Sequence, residues 1–491
     1  MKRITPEAAG ISSAKIKEYI DLLEENRLST HSLIIVRGDN IVFEKYWEPF
    51  HPDFLHRMYS ISKSVVGIAV GFAAQEGYID LDAPISKYFP EEAAAADNPY
   101  MQQQTVRHML MMSNVKSEAG WSKDDPVDDM VAHYFQNKNA QYRPSGTIYT
   151  YDSEGSLVLG ALVEKRTGMR LMDFLRTRLF DKIGVSKEAY CLSCPGGWSW
   201  GDSAVVCRPM DMLRIAKFMM QKGRWNGEQL LDEQYVTEAT SAMINNSTSN
   251  ATTYCAHGYG YLIWRTHDNS FFFNGMGCQF AIAVPDKDMV IMYNADNEGH
   301  EGAQATVIDN LFRLVVRTAV DHPLPEDPAA QKALEQPLKL MTAKGEAYVP
   351  FVEKINGATF ALDPNQNGIT KFSLHFGENG KNYFRYTNAQ GDKELEFGMC
   401  ENAFGVFPQT GYSKDVGGRS CPGHTYKCAA SAAWTEEQKL FIKVQVIDVY
   451  FGRLNIMLGF RDENLVGIRM SKVAEDFMDE YRGYMTGHRV P

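Results

Sequence analysis

Met58-Tyr59-Ser60-Ile61-Ser62-Lys63-Ser64-Val65-Val66-Gly67 opens a run that stays apolar or small as far as Phe72 and closes with Ala73-Ala74-Gln75-Glu76-Gly77. The pattern predicts a buried helix with a glycine stop. Ser60 falls in its first turn, where unpaired backbone N–H groups and the helix dipole favour negative charge. Lys63 follows three residues on, so a hydroxyl and an amine share one face about a turn apart. An ammonium buried among apolar groups needs acceptors or loses its proton, and a lysine held there beside a serine can activate it. Ser-x-x-Lys alone is a weak signal. It recurs at Ser12…Lys15 and Ser113…Lys116, where a helix cap followed by a surface lysine accounts for it. The apolar helix behind them sets Ser60 and Lys63 apart.

A chain of 491 residues has room for more than one domain and a large core. The net charge of −11, with no basic cluster, argues against nucleic acid and anionic membrane as partners. The N-terminus, Met1-Lys2-Arg3-Ile4-Thr5-Pro6-Glu7, lacks the apolar core and cleavage pattern of a signal peptide. No apolar run approaches the ~18 residues of a membrane span. A cytoplasmic protein is therefore expected. The eight cysteines are scattered rather than arranged as a disulfide framework. Cys191-Leu192-Ser193-Cys194 has no second pair to complete a zinc site and reads as reduced thiols in a loop, so neither a metal nor a cofactor is implied.

Residues 12–27 form an amphipathic helical pattern, and Ser32–Val36 and Ile41–Tyr46 a hairpin around Arg37-Gly38-Asp39-Asn40. Helical segments follow at 105–112, 126–136, 155–166 and 171–179. Residues 210–240 read as two helices around Gly223-Arg224-Trp225-Asn226-Gly227, and 245–253 as a polar loop. Strands are expected at Gly258–Arg265, Ser270–Phe273, Phe280–Val284 and Met289–Asn294, with a helix from Ala303 to about Val320. This order predicts an α+β fold, an antiparallel sheet flanked by helices with a helical middle. Residues 322–339, beginning His322-Pro323-Leu324-Pro325, have linker composition. Beyond 340 the texture turns to strands (Phe372–Phe376, Tyr383–Thr387, Glu394–Phe397, Leu440–Val446, Leu454–Phe460), a β-rich C-terminal domain over 340–491. Its His424 belongs to no grouping that suggests chemistry.

Two further stretches carry chemistry. Pro144-Ser145-Gly146 leads through Tyr149-Thr150-Tyr151-Asp152-Ser153 into an apolar helix, placing Tyr151 at its entrance. A phenol beside a lysine ammonium can serve as general base, although a core aromatic is the plainer reading of this stretch alone. In Phe273-Asn274-Gly275-Met276-Gly277-Cys278-Gln279-Phe280 the glycines permit close approach of a backbone or ligand, or else mark a bulge or hairpin turn. A backbone N–H there could join that of Ser60 on a developing oxyanion.

In this order the three stretches resemble the serine β-lactamase and penicillin-binding-protein superfamily over roughly residues 5–320, most closely its class C-like branch of esterases, amidases and β-lactamase-related hydrolases. Gly201-Asp202-Ser203 through Met212, followed by Gly223–Gly227, is similar to a segment of that branch. The resemblance implies a β-lactamase/transpeptidase-like domain over residues 1–321. It implies Ser60 as nucleophile, Lys63 assisting its deprotonation, Tyr151 as base and then acid, and the N–H groups of Ser60 and Met276 as oxyanion hole. It places Ser153, Asn274 and Gly275 against substrate. Two positions depart from the pattern. Tyr-x-Asn reads Tyr151-Asp152-Ser153, and Lys-Thr-Gly reads Phe273-Asn274-Gly275, with no ammonium to hold a β-lactam carboxylate. The Gly-Met-Gly-Cys-Gln pattern is similar to the branch containing 6-aminohexanoate-dimer hydrolase.

The expected activity is hydrolysis of a small ester, amide or peptide bond through an acyl-enzyme on Ser60. The alternatives are a β-lactamase or D,D-peptidase, disfavoured by the departures, and a non-catalytic binding or sensor protein on the same fold. The C-terminal domain is expected to act as a lid or as a homo-oligomerisation surface. Trp198, Trp200 and Trp264 fit a pocket wall or core packing equally.

Overall fold

The computed structural model describes residues 1–491 apart from 97, 99, 116–126, 137–142, 249–251, 378, 411–424, 451 and 475–477. Lys116, residue 126, residues 249–251 and His424, which figured in the sequence reading, lie outside the described residues. The chain divides into two compact units, Met1–Lys339 and Leu340–Pro491.

In the first unit, α1 (Ser13–Glu25) is capped by Ser12, whose side chain accepts from the Lys15 N–H. The Ser12…Lys15 pair is thus a helix cap. The hairpin β1 (Thr30–Arg37) and β2 (Asn40–Glu48) turns at Gly38 and Asp39. Strands β3 (Phe271–Gly275), β4 (Gln279–Val284) and β5 (Met289–Ala295) join it in the order β2-β1-β5-β4-β3, the antiparallel centre of an eight-stranded sheet that also carries Trp264–Arg265 beside β3 and Lys2–Arg3 parallel to β2. Every residue of β4 and β5 is buried. Strands that are apolar on both faces require cover on both. On the sheet lie α2 (Ile61–Gln75) against β3 and β4, and α4 (Pro209–Met220) against β4 and β5. Helices α1 and α5 (Ala303–Leu311) are joined by the Tyr19 hydroxyl on Val307 O, 3.1 Å. A helical region separates the two halves of the sheet, with Val106–Leu110, Met130–Gln136, α3 (Ser153–Thr167) and Leu171–Leu175. Among the described residues no helix is long and apolar enough to cross a membrane.

Two segments differ from expectation. Gly258–Arg265 is a strand only at Trp264–Arg265, because Gly258 (φ 101°) and Leu262 (φ 56°) adopt left-handed backbone that interrupts an extended run. Residues 322–339 belong to the first unit. They contain a helix, Pro328–Glu335, with Asp327 as its cap and proline in its first turn, and a strand, Leu338–Lys339, beside β2. The prolines that suggested a linker include one that starts this helix.

In the second unit the strands are β6 (Thr359–Leu362), β7 (Lys371–Phe376), β8 (Asn382–Asn388), β9 (Gly391–Met399), β10 (Ala403–Val406), β11 (Lys427–Glu436), β12 (Lys439–Val446), β13 (Gly452–Phe460), β14 (Leu465–Ala474) and β15 (Gly483–Arg489). They run in the order β9-β8-β7-β6-β15-β14-β13-β12-β11-β10. A parallel pairing of β9 with β11, Gly398 opposite Ser431, closes the sheet into a barrel. Alternate residues of β13, Leu454, Ile456, Leu458 and Phe460, are buried in its core.

Helix α2 comes close to the chain around Tyr261: a Cβ on Gly67 would lie 2.9 Å from Tyr261 O. A Gly67→Ala variant is expected to lose about 1–3 kcal/mol to over-packing, more than alanine's helix preference returns. The check is a lowered denaturant midpoint at unchanged m-value.

Candidate active site

The site begins where a strained residue delivers the chain into an apolar helix. Tyr59 is left-handed at φ 47°, and Ser60 follows as the N-cap of α2. Polar side chains in the first turns of α2 each find a partner across the fold. Ser62 Oγ accepts from Val205 N at 2.9 Å and Ser64 Oγ donates to Leu262 O at 2.7 Å. Lys63 is 2% exposed, and its Nζ donates to Ser60 Oγ at 2.9 Å and to Asp202 O at 2.7 Å. A buried amine with two directed acceptors is fixed in orientation.

Tyr151 stands at the entrance to α3, where Asp152 caps the helix by accepting from Gly155 N at 3.0 Å. The buried Asn114 donates to the other Asp152 oxygen at 2.6 Å. Lys63 Nζ lies 5.0 Å from the centre of the Tyr151 ring, which also stacks on Trp264 with centroids 5.7 Å apart. Trp264 is braced in turn by Tyr149 and Tyr259. The Tyr151 hydroxyl makes no hydrogen bond among the described residues. Tyr151, distant in sequence from Ser60 and Lys63, is therefore brought beside the amine that holds the serine hydroxyl. Ser153, the first residue of α3, makes no side-chain hydrogen bond to any of the three among the described residues.

At the end of β3, a Cβ on Gly275 would fall 2.4 Å from Met58 O, so only glycine lets this strand end lie against the backbone leading into Ser60. The residues after it, Met276, Gly277 (φ 76°) and Cys278 (φ 72°), form the hairpin turn into β4. Close approach and hairpin turn, alternatives in the sequence, are both realised. Gln279 holds the turn by donating to Met276 O at 3.2 Å. Its own Oε1 accepts from Asn294, which accepts from Ser32 Oγ at 2.9 Å. Asn274 is half-buried, with its amide 4.0 Å from Cys255 Sγ. Among the described residues neither the Ser60 nor the Met276 backbone N–H has an acceptor.

Three further polar groups, for which the motifs were silent, support this centre. Arg57 ties the strand before the serine to the 198–204 loop through Ser203 O at 2.9 Å, with its guanidinium over the rings of Tyr59 and Trp200. Glu164 of α3 anchors the same loop by accepting from Ser199 Oγ at 2.6 Å, and it also accepts from Leu171 N, at the start of the next helix, at 2.8 Å. Asp202 is 5% exposed, and its Oδ1 has no hydrogen-bond partner among the described residues. Burial pushes its carboxyl up to about 6, against the opposing pull of Lys63 and Arg57. Gly201-Asp202-Ser203 was legible as a shared segment, but no spacing rule points from it to Lys63.

A family model described as Beta-lactamase matches residues 16–311. Among curated proteins, 6-aminohexanoate-dimer hydrolase of Paenarthrobacter ureafaciens is 26% identical over 247 residues, 46% of this chain and 60% of that protein. A Beta-lactamase of Escherichia coli (strain K12) is 26% identical over 145 residues, 28% of this chain and 36% of that one. The chain thus spans less than two thirds of these relatives. Among solved structures, a putative 6-aminohexanoate-dimer hydrolase from Bacillus anthracis has a TM-score of 0.52 at 19% identity, covering 62% of this chain and 83% of that one. The octameric penicillin-binding protein homologue from Pyrococcus abyssi scores 0.50 at 14% identity, covering 96% of this chain and 99% of that one. These likenesses show the fold, including a barrel as the second unit.

The raised Asp202 carboxyl has a consequence for stability. The native state binds its proton more tightly than the unfolded chain, so its contribution is full below about pH 4 and is lost as the pH rises through about 6. Asp202→Asn is therefore expected to be more stable than the parent at pH 8, by at most about 3 kcal/mol, with the difference vanishing near pH 4. Paired thermal melts at the two pH values check this.

Proposed function

The chain belongs to the Beta-lactamase family, and from that premise we propose that it is a serine hydrolase cleaving a small ester, amide or peptide bond through an acyl-enzyme on Ser60. The observation that carries the reading is the Lys63 amine, buried and donating to Ser60 Oγ at 2.9 Å beneath the Tyr151 ring. A hydroxyl placed so has no structural need of a buried lysine; a nucleophile does.

In the proposed cycle Ser60 Oγ attacks the substrate carbonyl as its proton passes towards Tyr151, with Lys63 assisting the transfer. The N–H groups of Ser60 and Met276 receive the oxyanion of the tetrahedral intermediate. Tyr151 returns the proton to the leaving alcohol or amine, the C–O or C–N bond breaks, and Ser60 is left acylated. Water then attacks the ester by the same route in reverse, releasing the acid. Asn274 and Gly275 at the strand end, with Ser153 at the start of α3, are assigned to substrate.

Likeness to 6-aminohexanoate-dimer hydrolase favours a small linear amide or ester. A second reading, β-lactam hydrolysis, draws on the curated relatives named Beta-lactamase. Phe273 argues against it, since it stands where the Lys-Thr-Gly pattern has its lysine and offers a β-lactam carboxylate no positive charge.

Short-chain nitrophenyl esters are expected to be hydrolysed with a pre-steady-state burst of nitrophenol. Ser60→Ala should lower turnover about 10³-fold or more. Tyr151→Phe, which keeps the ring against Trp264 and removes only the hydroxyl, should cost about 10²–10⁴-fold in kcat. Rapid turnover of a chromogenic cephalosporin would instead support the second reading.

A further inference from the structure

We infer that Asp202 is a positioning residue for Lys63: its carbonyl holds the amine on Ser60, and its carboxylate is the negative charge that balances the ammonium. This rests on the serine-hydrolase reading and adds to it a group no motif assigns. Both hydrogen bonds from Lys63 go to oxygens without formal charge, Ser60 Oγ and Asp202 O. Among the described residues no carboxylate lies within 4.0 Å of its Nζ. A buried cation so placed still needs a counter-charge within reach. The carboxylate of the residue already bonded to it is available: 5% exposed, with Oδ1 lacking a hydrogen-bond partner among the described residues.

The groups that act on this carboxylate come from separate elements of the fold. Lys63 of α2 and Arg57 of the strand His56–Arg57 attract it, whereas Glu154 of α3 repels it. The thiols of Cys191 and Cys194 lie within its field. Burial outweighs the two cations and raises the carboxyl to about 6. At neutral pH the charge is therefore held at a net cost in stability, which a neutral residue would avoid. Retention of such a charge beside a nucleophile is the pattern of a functional group rather than a packing one.

Above pH 6 Asp202 is ionised and the Lys63 ammonium is balanced as it donates to Ser60. Below pH 6 the carboxyl is neutral, the balance is lost, and acylation slows. Ester-hydrolysis profiles of kcat/KM from pH 5 to 8 test this on the full chain. The wild type is expected to fall as the pH drops through about 6. Asp202→Asn, near-isosteric and with the backbone carbonyl intact, is expected to lack that fall and to run about tenfold slower at pH 8, one pK unit's worth of lost balance. The same inflection is expected in the wild-type rate of Ser60 labelling by a fluorophosphonate, which needs no variant to fold. Either an Asp202→Asn profile that keeps the inflection or a wild-type labelling rate flat across this range overturns the role of Asp202. Ser60→Ala run alongside separates the two claims: ester hydrolysis that survives it sinks the serine reading itself, whereas its loss with an unshifted Asp202→Asn profile sinks only the inference.

Discussion

A lysine amine at the head of an apolar helix must be supplied with acceptors, and the supply of those acceptors shapes the first unit. Lys63 sits among residues that are almost all buried, so its hydrogen bonds to Ser60 Oγ and Asp202 O cannot be traded for water. That requirement pins the 198–204 loop to α2, and the loop is held from its other side by Arg57 and Glu164. It also sets where α3 begins, because the Tyr151 ring closes over the amine just before the Asp152 cap. The glycine at 275 brings the third piece of chain up to the same place.

The serine helix, the Tyr151 entrance and the glycine turn were legible because each obeys a local rule: period, capping and the space a Cβ would need. Their convergence followed from resemblance rather than from any of those rules. Asp202 and Arg57 were not legible in their roles. A buried charge is recognised by its surroundings, and those come from stretches far apart in sequence, Arg57 and Lys63 on one side and Glu154 on another. The expected strand from Gly258 failed for a local reason, since left-handed residues inside an apolar run are invisible to a pattern of hydropathy.

The second unit shows the same division. Its period-2 strands, such as β13, were readable from alternation. Strand β11, Lys-Cys-Ala-Ala-Ser-Ala-Ala-Trp-Thr-Glu, has little β propensity and was not expected. It forms because it lies between partners: β12 on one side, β10 and the end of β9 on the other. Small side chains suit the strand that closes a barrel, where tertiary pairing overrides intrinsic preference.

The central claim is that one alcohol in this chain becomes acylated. The direct test is to quench the protein during turnover of a slowly deacylating ester and map the adduct by peptide mass spectrometry. A single acyl group on Ser60, absent when Lys63 is replaced by methionine, is the predicted result. An adduct on another residue, or none while ester hydrolysis proceeds, would contradict it.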